Sequence, residues 1–380
     1  MRVALVHYWL LGMRGGEKVL EAFCRIFPNA DIFTLFYEPE KVSETIRSRR
    51  VTSSFLNPAR RYYRSLLPVM PFALEHLDLR GYDLIVSSES GPAKGLIANA
   101  SSRHVCYCHS PMRYLWDLYP DYLHEWTRSR TRRALIGLTS NYLRVWDYAA
   151  AARVDEFVAN SKNVQKRLWR AYRRESRVVH PPVAVENFYY RPSLNYYLLI
   201  SELVAYKRVM DAIICFSRSG RPLRIVGDGP EYNELRKAAK PNIEFCGRIS
   251  DTELREQYAH CRAVVQPGEE DFGIVSVEAL ASGKPIIGLG RGGILEIAPK
   301  DEGCSFLYSS PGHEGMQSAI EEFERGETHI RPTKLQNLAL QYSEERFREK
   351  ILAFLNCAPQ SPDSAADSRP ARPLVMSRSA

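Results

Sequence analysis

The sequence predicts an α/β protein built from two doubly wound domains. Short β-branched segments alternate with helical patterns along the chain, which is typical of parallel sheets joined by crossover helices. The alternation restarts after residue 190. A chain of 380 residues is also long enough for two domains of ordinary size.

The first half opens with a strand and a helix and continues in the same pattern. Helices are predicted at 16–27 and 162–172, where apolar residues recur at helical spacing. Strands are predicted where β-branched and aromatic residues cluster, at 2–9, 30–37, 83–88, 103–110, 155–161 and 177–183.

The second half repeats this arrangement. Its strands are predicted at 196–201, 222–227, 243–247, 263–267, 285–289 and 305–310. Its helices are predicted at 208–217, 230–239, 251–261 and 274–282. We therefore expect a first domain at 1–188, a second at 189–342, a helix at 343–357 that packs back on the first domain, and a disordered tail at 358–380.

Composition excludes several protein classes. Apolar residues make up 45% and charged residues 25%, so the chain is not disordered over most of its length. No apolar run approaches the roughly 20 residues of a membrane-spanning helix. The N-terminal residues lead directly into a helical pattern without a small-residue cleavage site, so we interpret them as a strand and a helix, not a signal peptide.

The eight cysteines are scattered among apolar neighbours, which favours reduced thiols and a cytoplasmic location. Cys106, Cys108 and His109 form one cluster suggestive of a metal site. A second ligand pair at zinc-like spacing is missing, and alternation along a strand explains the cluster better. We therefore expect no metal.

Positive charge is concentrated in the first half. Residues 1–190 carry 28 Lys and Arg against 18 Asp and Glu, whereas residues 191–380 carry 24 against 26. This asymmetry favours a polyanionic partner. Segments 57–80 and 111–150 mix arginines with aromatic and aliphatic residues, as membrane-interface segments do, although a solvated arginine face over a helical core is the alternative. Without a recognised nucleic-acid module, we expect an anionic membrane surface and no nucleic acid.

The segment 264–296 carries the most informative residues. The unpaired amides at the start of a helix beginning at Ile274 form a ready site for a diphosphate. Glu270 lies just before this helix, and Glu278 is expected about two turns into it. Two carboxylates that flank an anion site suit a sugar nucleotide, because they accept hydrogen bonds from ribose and sugar hydroxyls. From the spacing alone, two solvated glutamates on a surface turn are the alternative.

The surrounding residues resemble a known family. Residues 270–285 read Glu-Asp-Phe-Gly-Ile-Val-Ser-Val-Glu-Ala-Leu-Ala-Ser-Gly-Lys-Pro, which resembles the Glu-x7-Glu signature of retaining glycosyltransferases of family four. Further landmarks lie at 15–16, 107–119, 146–161, 178–183, 203–208, 226–231 and 290–293. The resemblance covers the chain to about residue 355 and looks most like the O-antigen and exopolysaccharide mannosyltransferase branch. It implies the GT-B fold, in which two Rossmann-like domains face a central cleft.

The resemblance implies a donor site in the second domain. Lys207, assisted by Arg208, would neutralise the donor diphosphate as a point charge. Glu270 would hold the hydroxyls of the donor sugar, and Glu278 those of the ribose. The remaining donor contacts of this domain are implied at Arg248, Phe272, Gly273, Ile274 and Val275.

The same resemblance implies the opposite wall of the cleft. Gly15 and Gly16 would face the diphosphate from the first domain, because a minimal side chain lets backbone amides approach. His109 would lie at the reacting centre against the transferred sugar, and Arg113 on the acceptor side. Lys207, Glu270 and His109 are thus the expected catalytic residues.

The implied reaction transfers a hexose with retained configuration, without a metal or another cofactor. The branch favours GDP-mannose as the nucleoside diphosphate sugar donor. The acceptor would be a polyprenyl-diphosphate-linked saccharide at the inner face of the cytoplasmic membrane, in surface polysaccharide synthesis. The nearest alternative is a hexosyltransferase of the same fold that uses a UDP-sugar. An alternative from another class is a non-catalytic scaffold of a polysaccharide assembly complex.

Two residues depart from the family pattern. Glu202 stands where many relatives carry an arginine, five residues before Lys207, and Ala184 stands where an aspartate is common. A carboxylate beside a diphosphate is unfavourable. We therefore expect Glu202 to turn outward or to be compensated by Arg208 or Arg248. Glu202 is also the feature that favours a scaffold.

A glycine-rich turn at 288–293 matches the dinucleotide-binding pattern G-x-G-x-x-G. The strand that follows, at 305–310, ends without the acidic residue that would hold a ribose, and the turn does not belong to a first βα unit. We expect no NAD. In the family that the chain resembles, this turn lines the donor cleft.

Overall fold

The computed structural model describes residues 1–127, 129–299 and 302–356. It contains two separate sheets, of seven and six strands, in which every strand pair is parallel. The predicted fold of two α/β halves is therefore confirmed. The tail at 358–380, expected to be disordered, lies outside the described residues.

The first sheet consists of strands β1 (Val3–His7), β2 (Asp31–Thr34), β3 (Val51–Ser53), β4 (Leu84–Glu89), β5 (Arg103–Cys108), β6 (Glu156–Ala159) and β7 (Ser176–Val178). Their order across the sheet is β3-β2-β1-β4-β5-β6-β7. Its helices are α1 (Gly15–Ile26), α2 (Glu44–Arg47), α3 (Met70–Glu75), α4 (Tyr119–Trp126), α5 (Arg130–Ala152) and α6 (Lys162–Tyr172). A kinked 3-10 segment runs over Asn57–Val69.

The second sheet consists of strands β8 (Tyr197–Ile200), β9 (Leu223–Val226), β10 (Ile243–Gly247), β11 (Val264–Gln266), β12 (Ile286–Leu289) and β13 (Ser305–Tyr308). Their order is β10-β9-β8-β11-β12-β13. The helices are α7 (Val209–Ser219), α8 (Tyr232–Ala238), α9 (Asp251–His260), α10 (Ile274–Ala281), α11 (Ile294–Ile297), α12 (His313–Gly326), α13 (Pro332–Ala339) and α14 (Glu344–Asn356).

Both sheets are covered on both faces, as parallel sheets require. In β1, Leu5 belongs to a buried cluster with Phe23 of α1, and the next residue, Val6, belongs to the cluster on the opposite face. In β8, Leu198 and Leu199 divide between two clusters in the same way. This alternation explains why the strands read as continuous apolar runs.

Helix α14 returns from the second half to the first sheet. Phe347 packs edge-on against Phe23 and Tyr107, with ring centroids 5.4 and 5.7 Å apart. Arg25 of α1 also forms an ion pair of 2.7 Å with Glu344 at the start of the helix. The last described element therefore ties the two halves together.

The strand orders reverse direction at one point in each sheet, between β1 and β4 and between β8 and β11. Ligands of such sheets bind outside the carboxyl ends of the strands at this topological switch point. The loops that follow β1, β4, β8 and β11 are therefore the places to look for a site. Among the residues that the structure describes, no helix combines the length and the apolar character needed to cross a membrane.

Among the described residues of the first half, the charged side chains of Glu89, Lys94 and Asp147 are fully buried, which the sequence did not predict. Lys94 Nζ lies 2.9 Å from Glu89 Oε1 and also contacts the Asp147 carboxylate. Asp147 accepts further hydrogen bonds from Trp116 Nε1 and Tyr172 Oη, at 2.8 and 2.7 Å. Burial raises the pKa of Glu89 to about 7 despite the adjacent ammonium. This cluster joins the end of β4 to α5 and α6.

We expect Lys94→Met to destabilise the protein by about 3–5 kcal/mol, because it leaves two buried carboxylates without their counter-charge. Urea unfolding of the full chain measures this change. Lys334→Met is the control: its ion pair with Glu302 is about half exposed, so its loss should change the unfolding free energy little. Equal stability of the two variants would contradict the assigned role of Lys94.

Candidate functional site

Most of the predicted site residues lie in loops at the facing edges of the two sheets. Lys207 follows β8 and Glu270 follows β11, whereas Gly15–Gly16, in the first turn of α1, follows β1 and His109 follows β5. The two edges are in contact, since a Cβ atom added at Gly15 would lie 2.9 Å from Cδ1 of Ile274. Topology therefore brings together Gly15 and Ile274, which are 259 positions apart in the sequence.

Lys207 and Glu270 form an ion pair in the floor of this cleft, with 2.5 Å between Nζ and Oε2. Lys207 ends a 3-10 turn, Ala205–Lys207, and Gly268 passes so close that a Cβ atom there would lie 2.9 Å from the Lys207 Cα. Burial lowers the pKa of Lys207, but the Glu270 carboxylate and Tyr206 outweigh it, so the pKa is raised. The ammonium therefore stays charged at neutral pH.

Helix α10 begins beside this ion pair. Gly273 precedes it with a φ of +102°, a left-handed conformation that side chains disfavour. The neighbouring Phe272 is buried and stacks on His180, with ring centroids 5.5 Å apart. The first amides of the helix, including those of Ile274 and Val275, have no carbonyl one turn earlier within the helix. They form a suitable site for an anion next to Lys207.

Glu278 lies closer to this helix start than the sequence analysis expected. Glu278 is four residues after Ile274, just over one turn into α10. Its expected position about two turns into the helix is therefore wrong. Its side chain is buried and accepts a hydrogen bond of 2.6 Å from Tyr258 Oη. Lys18 of α1 approaches Oε1 to 4.0 Å from the first half. Burial raises the pKa of this carboxyl.

Gly16 and two histidines form the opposite wall. A Cβ atom at Gly16 would lie 2.9 Å from Tyr8 Oη, 3.3 Å from His7 Cε1 and 3.7 Å from His109 Nε2, so a larger residue would displace the Tyr8 hydroxyl and crowd His7. His109 Nε2 lies 2.8 Å from Ser88 Oγ. Burial, together with the nearby His7, lowers the pKa of His109 to about 3. The imidazole is therefore neutral at physiological pH.

A cluster of ion pairs connects the two halves across the cleft. Of its members, the sequence predicted only Arg113 as a site residue. Arg113, expected on the acceptor side, lies 3.3 Å from Asp117 and 3.5 Å from Asp271 of the second half. Arg167 of α6 contacts Asp271 and lies 2.7 Å from Glu269. The sequence does show a carboxylate on each side of Glu270, namely Glu269 and Asp271. Nothing in a single sequence indicates that Arg167 is their partner.

Glu296 makes a second contact between the halves that the sequence analysis did not identify. Its carboxylate accepts hydrogen bonds of 2.9 and 3.1 Å from the amides of Lys162 and Asn163 at the start of α6. His180 Nε2 lies 3.3 Å from the same carboxylate. Burial alone would raise the pKa of Glu296, but His180 and the two amides lower it. The residue thus supplies negative charge at a helix start in the other half.

The neighbours of Glu202 differ from the expectation. Its side chain is 40% exposed, and Oε2 lies 3.4 Å from the guanidinium of Arg14 in the first half. Of the two expected arrangements, compensation by Arg208 or Arg248 is wrong, because these residues pair with Asp211 and Asp228. The carboxylate is partly turned to solvent, and its neighbouring cation comes from the first half. Arg14 immediately precedes the Gly15–Gly16 turn, so Glu202 links the loop after β8 to that turn.

Arg208 and Arg248 are engaged within the second half. Arg208 has a left-handed φ of 56° and donates from Nε to Asp211 at 2.7 Å. Arg248 has a side chain that is 75% exposed and lies 3.5 Å from Asp228. Among the described contacts, neither side chain reaches Lys207 or Glu270.

The glycine-rich turn at 288–293 lies against the backbone of Glu270. Gly292 pairs with Glu270 in a parallel bridge, and a Cβ atom at Gly292 would lie 2.3 Å from the Glu270 carbonyl oxygen.

Cys106 and Cys108 are both buried on β5, and burial raises the pKa of each thiol. Within residues 1–127, 129–299 and 302–356, no three His, Cys, Asp or Glu side chains gather as a metal site.

Two family models match adjacent parts of the chain. The model described as Glycosyltransferase Family 4 matches residues 13–187, and the one described as Glycosyl transferases group 1 matches residues 191–356. An uncharacterized glycosyltransferase of Methanocaldococcus jannaschii is 28% identical over 153 residues, 39% of this chain and 44% of the relative. The O-antigen chain mannosyltransferase C of Escherichia coli is 30% identical over 119 residues, 29% and 32% respectively. The chain matches less than half of the length of these curated relatives.

Solved structures resemble the whole described fold. The Anabaena protein HepE in complex with UDP-glucose superposes with a TM-score of 0.70 at 17% identity, covering 93% of this chain and 99% of that one. WaaG, a glycosyltransferase involved in lipopolysaccharide biosynthesis, gives a TM-score of 0.64 at 15% identity, covering 93% and 99%. At these identities the likeness shows the fold, and the expected GT-B fold is confirmed.

We expect His109 to remain neutral from pH 8 down to about pH 5, because its lowered pKa lies well below that range. Nuclear magnetic resonance of ¹⁵N-histidine-labelled protein reports the protonation state, and loss of one signal set in His109→Gln assigns the residue. A His109 signal that titrates with a midpoint near 6.5 would contradict the burial-driven shift.

Proposed function

The chain belongs to the group 1 glycosyltransferases, and from this premise we propose that it transfers a hexose from a nucleoside diphosphate sugar to a saccharide acceptor with retained configuration. The observation that carries the proposal is the Lys207–Glu270 ion pair beside the start of α10. A cation, a row of free amides and a carboxylate at one point match a diphosphate joined to a sugar.

Donor binding would exchange the partner of Lys207. A bound diphosphate would take the ammonium and the amides at the start of α10, and Glu270 would then be free to accept hydrogen bonds from the sugar. Glu278 lies one turn further along the same helix, where it would accept from the ribose. Its hydrogen bond with Tyr258 fixes the orientation of the carboxylate.

The chemical step would use the fixed charges of this site. The acceptor hydroxyl oxygen forms a bond to the anomeric carbon on the face from which the diphosphate leaves, the bond from that carbon to the phosphate oxygen breaks, and the hydroxyl proton passes to the leaving phosphate. Lys207 and the helix amides would stabilise the charge that develops on the diphosphate. The neutral His109 imidazole would hydrogen-bond the transferred sugar from the opposite wall without adding charge there.

Mannose from GDP-mannose is the donor that we propose. Its support is the resemblance to the mannosyltransferase branch and the partial match to the mannosyltransferase of Escherichia coli. A UDP-sugar is the second candidate, because the similar Anabaena structure was solved with UDP-glucose. The scaffold alternative rested on Glu202, and the Arg14 guanidinium beside that carboxylate weakens it.

A lipid-linked acceptor at an anionic membrane surface is the proposed partner. Helix α5 exposes Leu135, Leu138, Tyr142 and Val145, which recur at helical spacing on one face. Arg132 of the same helix is also exposed. Exposed apolar groups beside arginines suit the interface of an anionic bilayer, where the apolar face is buried and the cations meet lipid headgroups.

We expect a nucleoside diphosphate to raise the melting temperature without magnesium. A ligand at about 100 times its Kd stabilises a protein by roughly 2.7 kcal/mol. Thermal unfolding with GDP, UDP and ADP, each with and without magnesium, measures the shift. Lys207→Ala and Glu278→Ala should abolish it, whereas Lys240→Ala, an exposed lysine of the second half, should retain it. A shift with UDP but not GDP would replace the proposed donor, and no shift with any nucleotide would contradict the donor site.

We expect the protein to float with anionic vesicles at low salt and to dissociate as salt is raised. The double variant Leu135→Glu and Leu138→Glu should remain in the soluble fraction, because it places carboxylates on the apolar face. Leu194→Glu with Leu340→Glu is the matched control, since both leucines are exposed in the second half. Wild-type protein that stays soluble with anionic vesicles would contradict the proposed membrane partner.

A further inference from the structure

A cavity of about 830 Å³ opens in the first half next to the cleft. The loop that follows β1 forms one wall, and the 3-10 segment at Asn57–Val69 forms the other. Arg14 and Glu17 line the cavity and flank the Gly15–Gly16 turn, which lies beside His109. The cavity and the reacting centre therefore share one loop.

Cations outnumber carboxylates in the lining. Arg14, Lys41, Arg60 and Arg61 line the cavity, together with only two carboxylates. One of these, Glu38, is shared by Lys41 at 3.0 Å and Arg60 at 3.9 Å.

The second carboxylate does not offset the remaining charge. Glu17 is buried at the start of α1 and offsets at most one of these charges, and Arg14 lies 3.4 Å from Glu202 of the second half. Arg61 stacks on Tyr62 at 4.6 Å and forms no ion pair in the part of the chain that the structure describes. The lining therefore has cationic capacity available for an anion.

Aromatic rings complete the lining. Trp9 and Tyr63 meet edge-on at 5.1 Å, and Tyr62 is more than half exposed. Rigid aromatic faces with polar tips provide apolar contact and hydrogen bonds at low entropic cost, which suits a sugar ring. Guanidinium groups provide bidentate hydrogen bonds to phosphate oxygens.

We propose that this cavity binds the diphosphate and the adjoining sugar of the acceptor, an inference that rests on the proposed transferase function. The arginines of the 3-10 segment would hold the phosphates, and the aromatic rings would hold the sugar. The acceptor hydroxyl would then reach the cleft past the Gly15–Gly16 turn. A substrate of this kind is a diphosphate ester, either linked to a lipid or free in solution.

The exposed apolar residues near the cavity favour the lipid-linked source. Phe55 and Phe72, just outside the two ends of the 3-10 segment, are both more than half exposed, and their rings pack edge-on at 5.8 Å. A lipid chain that leaves the diphosphate would meet these rings. The arginines of the 3-10 segment and the exposed rings just outside its two ends thus lie along one stretch of chain, residues 55–72.

The test measures binding of defined probes to the full chain, with a saturating nucleoside diphosphate present so that the donor site is filled. Geranylgeranyl diphosphate, inorganic pyrophosphate and geranylgeraniol are compared by isothermal titration calorimetry, below the micelle concentration. We expect the double variant Arg60→Gln and Arg61→Gln to weaken binding of geranylgeranyl diphosphate at least tenfold. The control, Arg236→Gln with Lys237→Gln, removes two exposed charges from the second half and should bind normally.

The outcomes separate this inference from the proposed function. Binding of geranylgeranyl diphosphate that is tighter than that of pyrophosphate, and lost in Arg60→Gln/Arg61→Gln, supports the site and its lipid source. Equal affinities for geranylgeranyl diphosphate and pyrophosphate would support a diphosphate site whose ligand is free in solution. Unchanged binding in the double variant, or equal binding of geranylgeraniol, would overturn the inference. The nucleotide-induced melting shift of the variant tests the donor site independently, and it should match that of the wild type.

Discussion

The side chains of three consecutive residues, Glu269, Glu270 and Asp271, determine the geometry of the cleft. The outer two contact Arg167 of the first half, whereas the middle one pairs with Lys207 of the second half. This short segment therefore joins the halves and holds a carboxylate beside Lys207 at the same time. Because it leads directly into α10, its position also fixes the helix start.

The charge asymmetry of the chain has a second explanation that the sequence analysis did not weigh. Arginines of the basic first half lie beside carboxylates of the second half, in the pairs Arg14–Glu202 and Arg167–Glu269. Part of the positive charge is thus used between the domains and not for an external polyanion. Arg132 of α5 is exposed, and Arg61 of the 3-10 segment forms no ion pair among the described residues, so these two surfaces are the ones that a membrane or a phosphate ligand would use.

The sequence predicted the fold well because its evidence is local. Strand and helix patterns repeat over short windows, and the crossover rule converts their order into two parallel sheets. It did not predict β3, nor the helices α2–α5 and α11–α13. Strand β3 is short, and the pattern of α5 is interrupted by exposed apolar residues. Apolar residues at helical spacing predict a buried helix face, yet Leu135 and Leu138 are exposed.

Contacts between distant residues were beyond the sequence analysis. The positions of Lys207, Glu270 and Glu278 came from a motif, but the motif contains no information about Arg167 or Glu296, which belong to other elements. The buried Lys94, Glu89 and Asp147 were missed for a related reason. A buried charge and a solvated charge look the same in a sequence, and only packing distinguishes them.

The most direct test of the account is a crystal structure of the protein with the nucleoside diphosphate that stabilises it. The account predicts diphosphate oxygens within hydrogen-bond distance of Lys207 Nζ and of the first amides of α10, with the ribose against Glu278 and the Lys207–Glu270 ion pair separated. A nucleotide bound at the glycine-rich turn 288–293 or in the cavity at Arg60 and Arg61, with Lys207 still paired to Glu270, would contradict it.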